Sequence, residues 1–400
     1  MKYPLRRVLV LVLLLLPLTF ACSKSEPPKP TPAPTPTVTA PPKPERPAYE
    51  IGAIFPLSGN AKGLGTIARN GMELAILDIN RSDSPFRFEV TFQDSVGDLT
   101  DAIPIMKRMC VTDKLPVIVG EALNHMTLGL APIATASQTV LISPVSSIAD
   151  LTTEGGDFFF RTCMSDRVPA QRIAEWMREL GVQSAAVLHT DNPWGAISKD
   201  LFVQEFEKAG GSICAVEACQ PGEEATAEQV AKLVSSDCDA LYLPTLTPEG
   251  IAILKSLANL NSTKLVFGSM QWQFPDILQA TGVVPDGVRI LKMPDFGGAA
   301  YDEFHQKYRE KYSAEPEWPA VYAYDTVRVL EQAFLAGKRT GPEIRDYLRQ
   351  MPPYQGLTGT IQFDEHGDRI MSDLKRYKIE SGKLVEDAVS ETTAASPAEE

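Results

Sequence analysis

The sequence has few of the groups on which catalysis and metal binding usually depend. It holds four histidines, and it contains no nucleophile elbow, no HExxH motif and no carboxylate pair in a recognisable catalytic setting. Its cysteines form no CxxC pair, so neither a zinc site nor a thioredoxin-like site is expected. The net charge of −13 disfavours nucleic acid as a partner. We therefore expect a protein that is not an enzyme and that carries no cofactor or metal.

Long apolar runs are also scarce, and the one pronounced run lies at the N-terminus. Val8–Phe20 carries no charge and follows the basic residues Lys2, Arg6 and Arg7, which is the layout of a secretory signal. The run of about 13 residues is shorter than the roughly 20 residues of a membrane-spanning helix. We therefore predict a lipoprotein-type signal peptide over residues 1–21.

The segment Leu18-Thr19-Phe20-Ala21-Cys22 resembles the lipobox of bacterial lipoproteins, in which the cysteine sulfur takes a diacylglycerol. The residues that follow, to about residue 46, are mostly Pro, Thr, Lys and Ala, and such a segment behaves as an extended spacer because it cannot bury enough surface to fold. We predict lipidation at Cys22, a Pro-rich linker over residues 22–48, and a periplasmic or cell-surface protein anchored to the membrane through this lipid. The alternative is an ordinary secreted protein with an incidental cysteine.

An oxidising compartment would permit disulfides among the five cysteines that follow Cys22. Because their number is odd, at least one thiol stays unpaired unless a partner chain supplies another. We expect mostly buried structural cysteines, and the pairing stays open. These cysteines are Cys110, Cys163, Cys214, Cys219 and Cys238.

The region left for folding spans residues 49–387, and residues 388–400 form an acidic tail that we expect to be disordered. Roughly 340 residues exceed what one hydrophobic core usually supports, so two lobes are expected. Short β-rich runs alternate with helical segments throughout, which predicts an α/β fold with parallel sheets.

In open α/β sheets, ligands bind beyond the carboxyl ends of the strands. The turns at these positions are rich in Ser, Thr, Asn and Gly, contain an occasional Trp and hold few charges. Hydroxyls, backbone amides and an aromatic wall suit a small polar molecule or a carboxylate. The turns are 55–59, 120–125, 143–147, 189–195, 244–247 and 268–273.

These turns and their strands resemble, in order along the whole folded region, the branched-chain amino acid (Leu/Ile/Val) binding proteins of ABC transporters. The fragments that carry the resemblance are Ile51-Gly52-Ala53-Ile54-Phe55-Pro56-Leu57-Ser58-Gly59, Asn70-Gly71-Met72-Glu73-Leu74-Ala75, Gln93-Asp94-Ser95, Val117-Ile118-Val119-Gly120, Ile142-Ser143-Pro144, Phe160-Arg161-Thr162, Ser165-Asp166, Trp194-Gly195, Tyr322-Ala323-Tyr324-Asp325 and Gly359-Thr360-Ile361-Gln362-Phe363-Asp364.

The resemblance implies a type I periplasmic binding protein fold, with two Rossmann-like lobes that contain parallel sheets and are joined by a three-strand hinge. Lobe 1 would hold residues 49–165 and 294–350, and lobe 2 would hold 166–293 and 351–387. Phe160–Asp166 would be the first hinge crossing. The implied function is capture of a ligand in the cleft between the lobes by a monomer, which then delivers it to an ABC permease.

At the family's ligand-binding positions, this chain keeps suitable residue types in some places and not in others. The resemblance implies that the ligand carboxylate is held near Asn124 and in the turn of Val145, Ser146 and Ser147, while Trp194 walls the cleft. Other implied ligand contacts are Ser58, Leu64, Thr245, Thr247, Met270 and Gln271.

Amino-acid-binding members of the family place an acidic residue after the glycine equivalent to Gly268, whereas this chain continues as Ser269-Met270-Gln271-Trp272. A buried ammonium without a carboxylate is costly. We therefore expect an organic acid, an amide or an aromatic acid, unless Glu121 or Glu249 brings an acidic group to an amino-acid-like ligand.

Several other features allow two interpretations. His189 suits a structural hydrogen bond better than catalysis, and His125 is either a cleft residue or an exposed loop residue. Gly63-Leu64-Gly65 lacks the third glycine of a dinucleotide fingerprint, and Asp364–Asp368 is typical of a β-turn. Trp272 belongs either to the cleft wall or to the core. At the level of function, the competing hypothesis is an anchored lipoprotein of the same fold that acts as a sensor or regulates the cell envelope through protein contacts.

Overall fold

The computed structural model describes residues 46–220, 227–270, 272, 277 and 286–387. The predicted signal peptide, Cys22, the linker up to residue 45, Gln271 and the tail lie outside the described residues. Within the described residues, no helix combines the length and the apolar character that a membrane span requires.

The first lobe is built on a sheet of five parallel strands in the order β2-β1-β3-β4-β5. Its strands are β1 (Ala48–Phe55), β2 (Arg87–Asp94), β3 (Val117–Gly120), β4 (Val140–Ser143) and β5 (Phe159–Arg161). The helices between them are α1 (Lys62–Arg81), α2 (Leu99–Lys107), which continues as a π-helical turn (Arg108–Thr112), α3 (Asn124–Ala136) and α4 (Leu151–Glu154).

Side-chain alternation along β1 explains why helices cover both faces of this sheet. Ile51, Ala53 and Phe55 point to a core shared with α1, whereas Ile54 points to the opposite core, which contains Met126 of α3. Successive residues of a strand face opposite sides of a sheet, so a strand buried on both sides is apolar throughout.

The second lobe is built on a sheet of seven strands in the order β14-β13-β10-β9-β8-β6-β7. Five of them are parallel: β6 (Ser184–Thr190), β7 (Ser212–Cys219), β8 (Ala240–Leu243), β9 (Leu265–Gly268) and β10 (Arg289–Lys292). The helices of this lobe are α5 (Arg167–Glu179), α6 (Pro193–Lys208), α7 (Ala227–Ser235) and α8 (Thr247–Asn259).

The chain returns to the first lobe after β10. There it forms α9 (Ala299–Tyr312), α10 (Trp318–Leu335) and α11 (Gly341–Gln350), of which α10 packs along α1. A short hairpin follows, formed by β11 (Tyr354–Gly356) and β12 (Gly359–Ile361). The chain then enters the second sheet as the antiparallel pair β13 (Lys375–Glu380) and β14 (Lys383–Glu386).

The segment that follows α11 differs from the expectation. From the resemblance we expect residues 351–387 in the second lobe, whereas Met351, Ile361 and Phe363 belong to the core of the first. The Asp325 carboxylate of α10 explains this position, because it accepts hydrogen bonds from the backbone N–H groups of Leu357 at 2.9 Å and Thr358 at 2.8 Å. The turn of the β11–β12 hairpin is therefore fastened to the first lobe.

A buried ion pair joins the first crossing between the lobes to the last one. The last crossing is the segment 362–374, which connects β12 to β13. The guanidinium of Arg161 donates from Nε to Asp368 Oδ1 at 2.6 Å and from Nη2 to Asp368 Oδ2 at 2.8 Å. It also donates to the carbonyl oxygen of Ile148 at 2.7 Å and to Thr152 Oγ1 at 2.8 Å. Both charges are removed from water, so this geometry depends on each polar atom having a partner.

Arg369, the next residue, makes a second set of buried contacts. Its guanidinium donates to the carbonyl oxygens of Thr162 at 3.1 Å and Thr358 at 2.8 Å, and also to that of Thr360. It therefore joins the first crossing to the β11–β12 hairpin. Asp368 and Arg369 thus hold three backbone segments together at the hinge. These are the first crossing, the β11–β12 hairpin and their own segment.

The cysteines are mostly interior, as expected. Cys214 of the edge strand β7 and Cys238 form a disulfide with a Cα–Cα distance of 5.9 Å. Cys110, Cys163 and Cys219 are buried free thiols. Burial raises the pKa of the Cys163 thiol, which lies in the hinge, to about 12, so this thiol is unreactive at neutral pH.

We predict that Asp368→Asn lowers the free energy of unfolding by about 3–5 kcal/mol, because it leaves the buried Arg161 guanidinium without its counter-ion. The matched control is Asp113→Asn, which makes the same chemical change in the half-exposed Arg108–Asp113 pair and should cost less than about 1 kcal/mol. Urea unfolding followed by circular dichroism measures both. Equal losses in the two variants would show that the hinge pair contributes no special stability.

Candidate functional site

A pocket of about 130 Å³ lies where the first hinge crossing meets the second lobe. Its walls come from the hinge, the start of α5, the first turns of α6 and the ends of β8 and β9. The lining residues are Met164, Asp166, Pro169, Ala170, Trp194, Ser198, Tyr242, Ser269 and Met270. The pocket lies at the carboxyl edge of the second sheet, the position expected for a ligand site in an α/β protein.

Asp166 brings a carboxyl group into this pocket. It immediately precedes α5, its backbone N–H donates to the carbonyl oxygen of Ser147 at 2.8 Å, and its Oδ2 accepts from the Ser147 hydroxyl at 3.2 Å. Burial raises the pKa of the Asp166 carboxyl, although the Ser147 hydroxyl and the charge of Arg161 oppose this rise. A partly buried carboxyl with one hydroxyl donor can accept further hydrogen bonds from a ligand.

Asp166 was not among the residues expected to contact a ligand. The sequence does contain a signal, because Asp166 directly follows the first crossing and begins the next helix. Such a position brings a side chain close to both lobes.

The aromatic wall of the pocket depends on how α6 begins. Asn192 caps the helix by accepting from the backbone N–H of Gly195 at 2.7 Å. Gly195 lies so close to the Thr190 carbonyl oxygen that a side chain there would collide with it. This close approach places Trp194 in the pocket wall.

Of the residues that follow β9, some line the pocket and others lie in the core. Met270 lines the pocket, whereas Trp272 is buried in the core of the second lobe. The indole N–H of Trp272 donates to Thr245 Oγ1 at 3.2 Å, so the Thr245 hydroxyl is engaged in the interior rather than in the pocket. Thr247 is half-buried at the start of α8, and Gln271 lies outside the described residues.

The expected carboxylate-binding turn in the first lobe is organised around Glu121. The Glu121 carboxylate accepts from the backbone N–H groups of Ala122 and Leu123, each at 2.7 Å, and from the Ser95 hydroxyl. Burial raises the pKa of Glu121 despite these bonds. The carboxylate is therefore occupied by the chain itself and does not extend into the pocket.

The serines of the adjacent turn also have internal partners. The Ser146 hydroxyl is fully buried, donates to the carbonyl oxygen of Glu121 at 3.1 Å and lies 2.6 Å from Thr127 Oγ1. Val145 packs in the core of the first lobe. In this structure the Ser146 hydroxyl is thus enclosed, which differs from the expectation that it holds a ligand carboxylate. The physical reason is that a buried hydroxyl needs partners inside the protein, and the Glu121 carbonyl oxygen and the Thr127 hydroxyl supply them.

Asn124 and Ser147 connect this turn to the pocket indirectly. Asn124 Oδ1 accepts from the backbone N–H groups of Ser147 at 2.8 Å and Ile148 at 3.2 Å. Ser147 in turn donates its hydroxyl to Asp166. Both predicted residues therefore position the carboxyl group of the pocket.

Ser58 and Leu64 lie in the turn after β1 and in the first turn of α1. Hydrogen bonds from the Ser58 hydroxyl and from the backbone N–H groups of Val96, Leu57 and Ser58 keep the pKa of Asp94 below its usual range, although partial burial acts in the opposite direction. Leu64 is half-buried against the core of the first lobe. The structure therefore does not place Ser58 or Leu64 among the residues lining the pocket.

The remaining candidate residues lie outside the pocket lining. His189 Nδ1 lies 3.0 Å from the carbonyl oxygen of Thr190, and His125 is exposed. Asp364 Oδ1 accepts from the backbone N–H groups of His366 and Asp368, each at 2.9 Å, so this segment is the predicted turn. Glu249 is buried in the second lobe. Within the described ranges, no group of His, Cys, Asp and Glu side chains is arranged to hold a metal ion.

Comparison with known proteins gives a consistent result. A family model described as periplasmic binding protein matches residues 48–383. Leu/Ile/Val-binding protein homolog 3 from Brucella melitensis is 22% identical over 342 residues, which cover 84% of this chain and 92% of the relative.

Two solved structures extend the similarity. A candidate branched-chain amino acid ABC transporter protein from Rhodospirillum rubrum matches with a TM-score of 0.71 and 22% identity, and the match covers 84% of this chain and 99% of that one. A solute binding protein from Rhodopseudomonas palustris BisB5, in complex with 3,4-dihydroxybenzoic acid, matches with a TM-score of 0.58 and 22% identity over 85% of this chain and 96% of its own.

We predict that Gly195→Ala displaces the start of α6 and destabilises the protein by about 1–3 kcal/mol, because the new methyl group meets the Thr190 carbonyl oxygen. Gly63→Ala in α1 is the matched control. Nothing lies near that position, so this change should be neutral or slightly stabilising. Thermal unfolding compares the two, and Trp194 fluorescence reports on the pocket wall. A Gly195→Ala protein as stable as the control would contradict the proposed packing.

Proposed function

The chain belongs to the periplasmic binding protein family, and we propose that it captures a small polar ligand between its two lobes and delivers it to an ABC permease while anchored to a membrane by a lipid on Cys22. The type I fold, with two α/β lobes, agrees with the solved relatives. The relatives that it matches are binding proteins, in agreement with the prediction that this chain is not an enzyme.

The observation that carries the proposed site is the pocket at the hinge. It combines one carboxyl group, Asp166, with the aromatic rings of Trp194 and Tyr242 and the flexible side chain of Met270. A few convergent polar groups on an otherwise apolar wall are typical of small-molecule sites. At about 130 Å³, the pocket is smaller than the roughly 300–1,000 Å³ of drug-sized sites, which favours a ligand of few atoms.

The chemistry of the pocket favours a ligand that donates a hydrogen bond to Asp166 and lays an apolar portion against Trp194. An amide or an amino-acid-like molecule has both features. An organic or aromatic acid, which the missing acidic residue after Gly268 favours, would fit if Asp166 is protonated and donates to its carboxylate. The raised pKa of Asp166 favours this second mode as the pH falls.

Capture would proceed by closure of the lobes about the crossings at Arg161 and Asp368. A ligand held by the second lobe and the hinge would lie beside the turn of Ser147, which already contacts Asp166, and would be covered as the rest of the first lobe closes over it. Hinge closure of this kind needs residues at the ends of secondary-structure elements that absorb the change in backbone angles. We propose that residues 162–166, between β5 and α5, serve this purpose.

A thermal-shift screen of the chain from Ser23 onward tests the proposed function. The ligands are amino acids, amides, aliphatic acids and aromatic acids, and a ligand at about 100 times its dissociation constant should add about 2.7 kcal/mol of stability. If none of these classes raised the melting temperature, the chain would not be a receptor for small molecules, and a regulator that acts through protein contacts would be favoured.

We predict that Asp166→Asn preserves or raises the stability of the ligand-free protein at pH 7 but weakens the binding of an amide or amino-acid-like ligand by about tenfold or more, because the charge-assisted hydrogen bond that such a ligand donates to the carboxylate is lost. The expected direction of the change in stability follows from the raised pKa of Asp166. A carboxyl with a raised folded-state pKa contributes stability below its unfolded value, and this contribution disappears as the pH rises through the folded value. The amide carries no such penalty at pH 7.

The matched control for this prediction is Asp237→Asn, which removes a carboxylate from an exposed position of the same lobe. Calorimetric titration with the best ligand of the screen measures the affinity of each variant. If Asp166→Asn lowered stability but left the affinity unchanged, Asp166 would be a structural residue and not part of the ligand site.

The lipid anchor has a separate test. We predict that Cys22→Ser abolishes incorporation of labelled fatty acid in a bacterial host and moves the protein from the membrane fraction to the soluble fraction, because the acceptor sulfur is lost. Ser25→Ala, three residues later, should leave both unchanged. Labelling that persists in the Cys22→Ser protein would contradict anchoring at this residue.

A further inference from the structure

Basic side chains collect at the edge of the first lobe where its parallel strands begin. This edge is opposite the one that leads to the hinge, because all five strands run in the same direction. Helices that return from the carboxyl edge end here, and they bring Arg81, Lys107 and Arg108 with them, while Lys114 precedes β3. We call the residues around these strand starts the basal edge.

Backbone contacts show that the basal edge is one continuous surface. The N–H of Arg87 donates to the carbonyl oxygen of Pro47 at 3.0 Å, and the N–H of Val140 donates to that of Pro116 at 3.1 Å. These bonds place the starts of neighbouring strands side by side. Arg339, at the end of α10, lies over the ring of Tyr49 at 4.2 Å and extends the basic surface.

Four carboxylates at this edge are paired with arginines. Asp113 lies 3.5 Å from Arg108, Glu89 lies 2.5 Å from Arg87, Asp346 lies 2.6 Å from Arg345 and Asp157 lies 3.5 Å from Arg349. Glu343 caps α11 by accepting from the N–H groups of Arg339 and Thr340.

Arg81, Lys107 and Lys114 are also exposed at this edge, where the exposed carboxylates of Glu50 and Asp83 offset part of their charge. The positive charge that remains contrasts with a chain whose net charge is −13.

An apolar groove opens at the same edge. Its volume is about 680 Å³, and Val111, one of its lining residues, is 61% exposed. The groove is lined by Pro104, Lys107, Arg108, Val111, Thr112, Pro132, Ile133, Ala136 and Ser137. Exposed aliphatic groups between lysines and arginines are typical of surfaces that lie on a lipid headgroup layer.

We propose that the basal edge docks on an anionic membrane surface. The chain enters the folded unit at this edge, where the Arg46 guanidinium donates to the carbonyl oxygens of Ser82 at 2.8 Å and Ser84 at 3.0 Å. Docking in this position turns the hinge pocket away from the lipid, so the cleft stays open to the surrounding solution.

The positive charge of the basal edge determines which face of the protein meets the membrane. The net negative chain is repelled by anionic headgroups, while each basic residue close to such a surface increases the affinity by roughly fivefold. The interaction is local, because charges further away than about 8 Å are screened at physiological salt. The proposal does not depend on which ligand the cleft takes, and the failure of either proposal leaves the other intact.

The test uses the chain from Ser23 onward, which retains the linker and the whole folded unit but has no lipid. Binding is measured by co-sedimentation with vesicles of phosphatidylcholine alone and with vesicles that contain about 30% phosphatidylglycerol, at about 50 mM and about 500 mM NaCl. We expect binding to the anionic vesicles at low salt and loss of binding at high salt. Absence of binding to anionic vesicles, or equal binding to both vesicle types, overturns the proposal.

Two matched variants locate the surface. Lys107→Glu combined with Lys114→Glu should reduce binding at least tenfold, since two favourable charges become unfavourable. Lys255→Glu combined with Lys383→Glu changes the net charge by the same amount on exposed positions of the second lobe and should retain most of the binding. Equal losses in both double variants would mean that net charge alone controls the interaction, which contradicts a docking surface.

Val111→Ser tests the apolar contribution and should weaken binding about threefold or more while leaving its salt dependence unchanged. All of these positions are exposed, so melting temperatures should stay within a few degrees of the original protein. Sedimentation without vesicles tests whether a second copy of the chain, instead of a membrane, occupies the groove. If the protein self-associates and the Lys107/Lys114 variant abolishes this without affecting vesicle binding, the groove joins two copies of the chain and the membrane proposal is wrong.

Discussion

The bidentate pair between Arg161 and Asp368 is the interaction on which the arrangement of the two lobes depends. It joins the first crossing to the last, across more than half of the chain, and it does so inside the protein, where an unpaired charge would be very costly. The Ile148 carbonyl and the Thr152 hydroxyl complete the coordination of the guanidinium. Because each donor has an acceptor, the hinge has a defined geometry rather than a loose connection.

The candidate site depends on this geometry. Asp166 lies five residues after Arg161, and the Ser147 hydroxyl that contacts it belongs to the same turn as the carbonyl oxygen of Ile148 that Arg161 binds. Any change at the ion pair is therefore expected to move the carboxyl group of the pocket. The contacts that stabilise the hinge therefore also position the carboxyl group of the proposed ligand site.

The structure places an acidic group in the pocket that was not predicted from the sequence. The sequence favours Ser146 and Ser147 as groups that hold a ligand carboxylate and suggests that the acidic partner of an ammonium is lost. In the folded chain, Ser146 is enclosed by Glu121 and Thr127, and an acidic group reappears in the pocket from the hinge as Asp166. Amino-acid-like and amide ligands are therefore better candidates than the residues after Gly268 alone suggest.

Much of the architecture could be predicted from the sequence, because it depends on local pattern. Alternating apolar strands and amphipathic helices specify an α/β protein, the length requires two lobes, and the ordered fragments from Ile51 to Asp364 identify the family. Trp194 could also be placed in the pocket wall, since a strand-end turn and a helix cap are both local features. The return of residues 351–363 to the first lobe was not predictable, because it depends on Asp325 meeting backbone N–H groups far along the chain.

The sequence by itself determined the class of fold, the family and the strand-end turns that could carry a site. Only the tertiary structure decided which polar groups of those turns remain available. Hydrogen-bond partners such as Ser147 and Asp166, or Trp272 and Thr245, come from segments that meet only after folding. A buried polar group is satisfied by whichever partner is nearest in space, and this distance is not encoded in the spacing of residues along the chain.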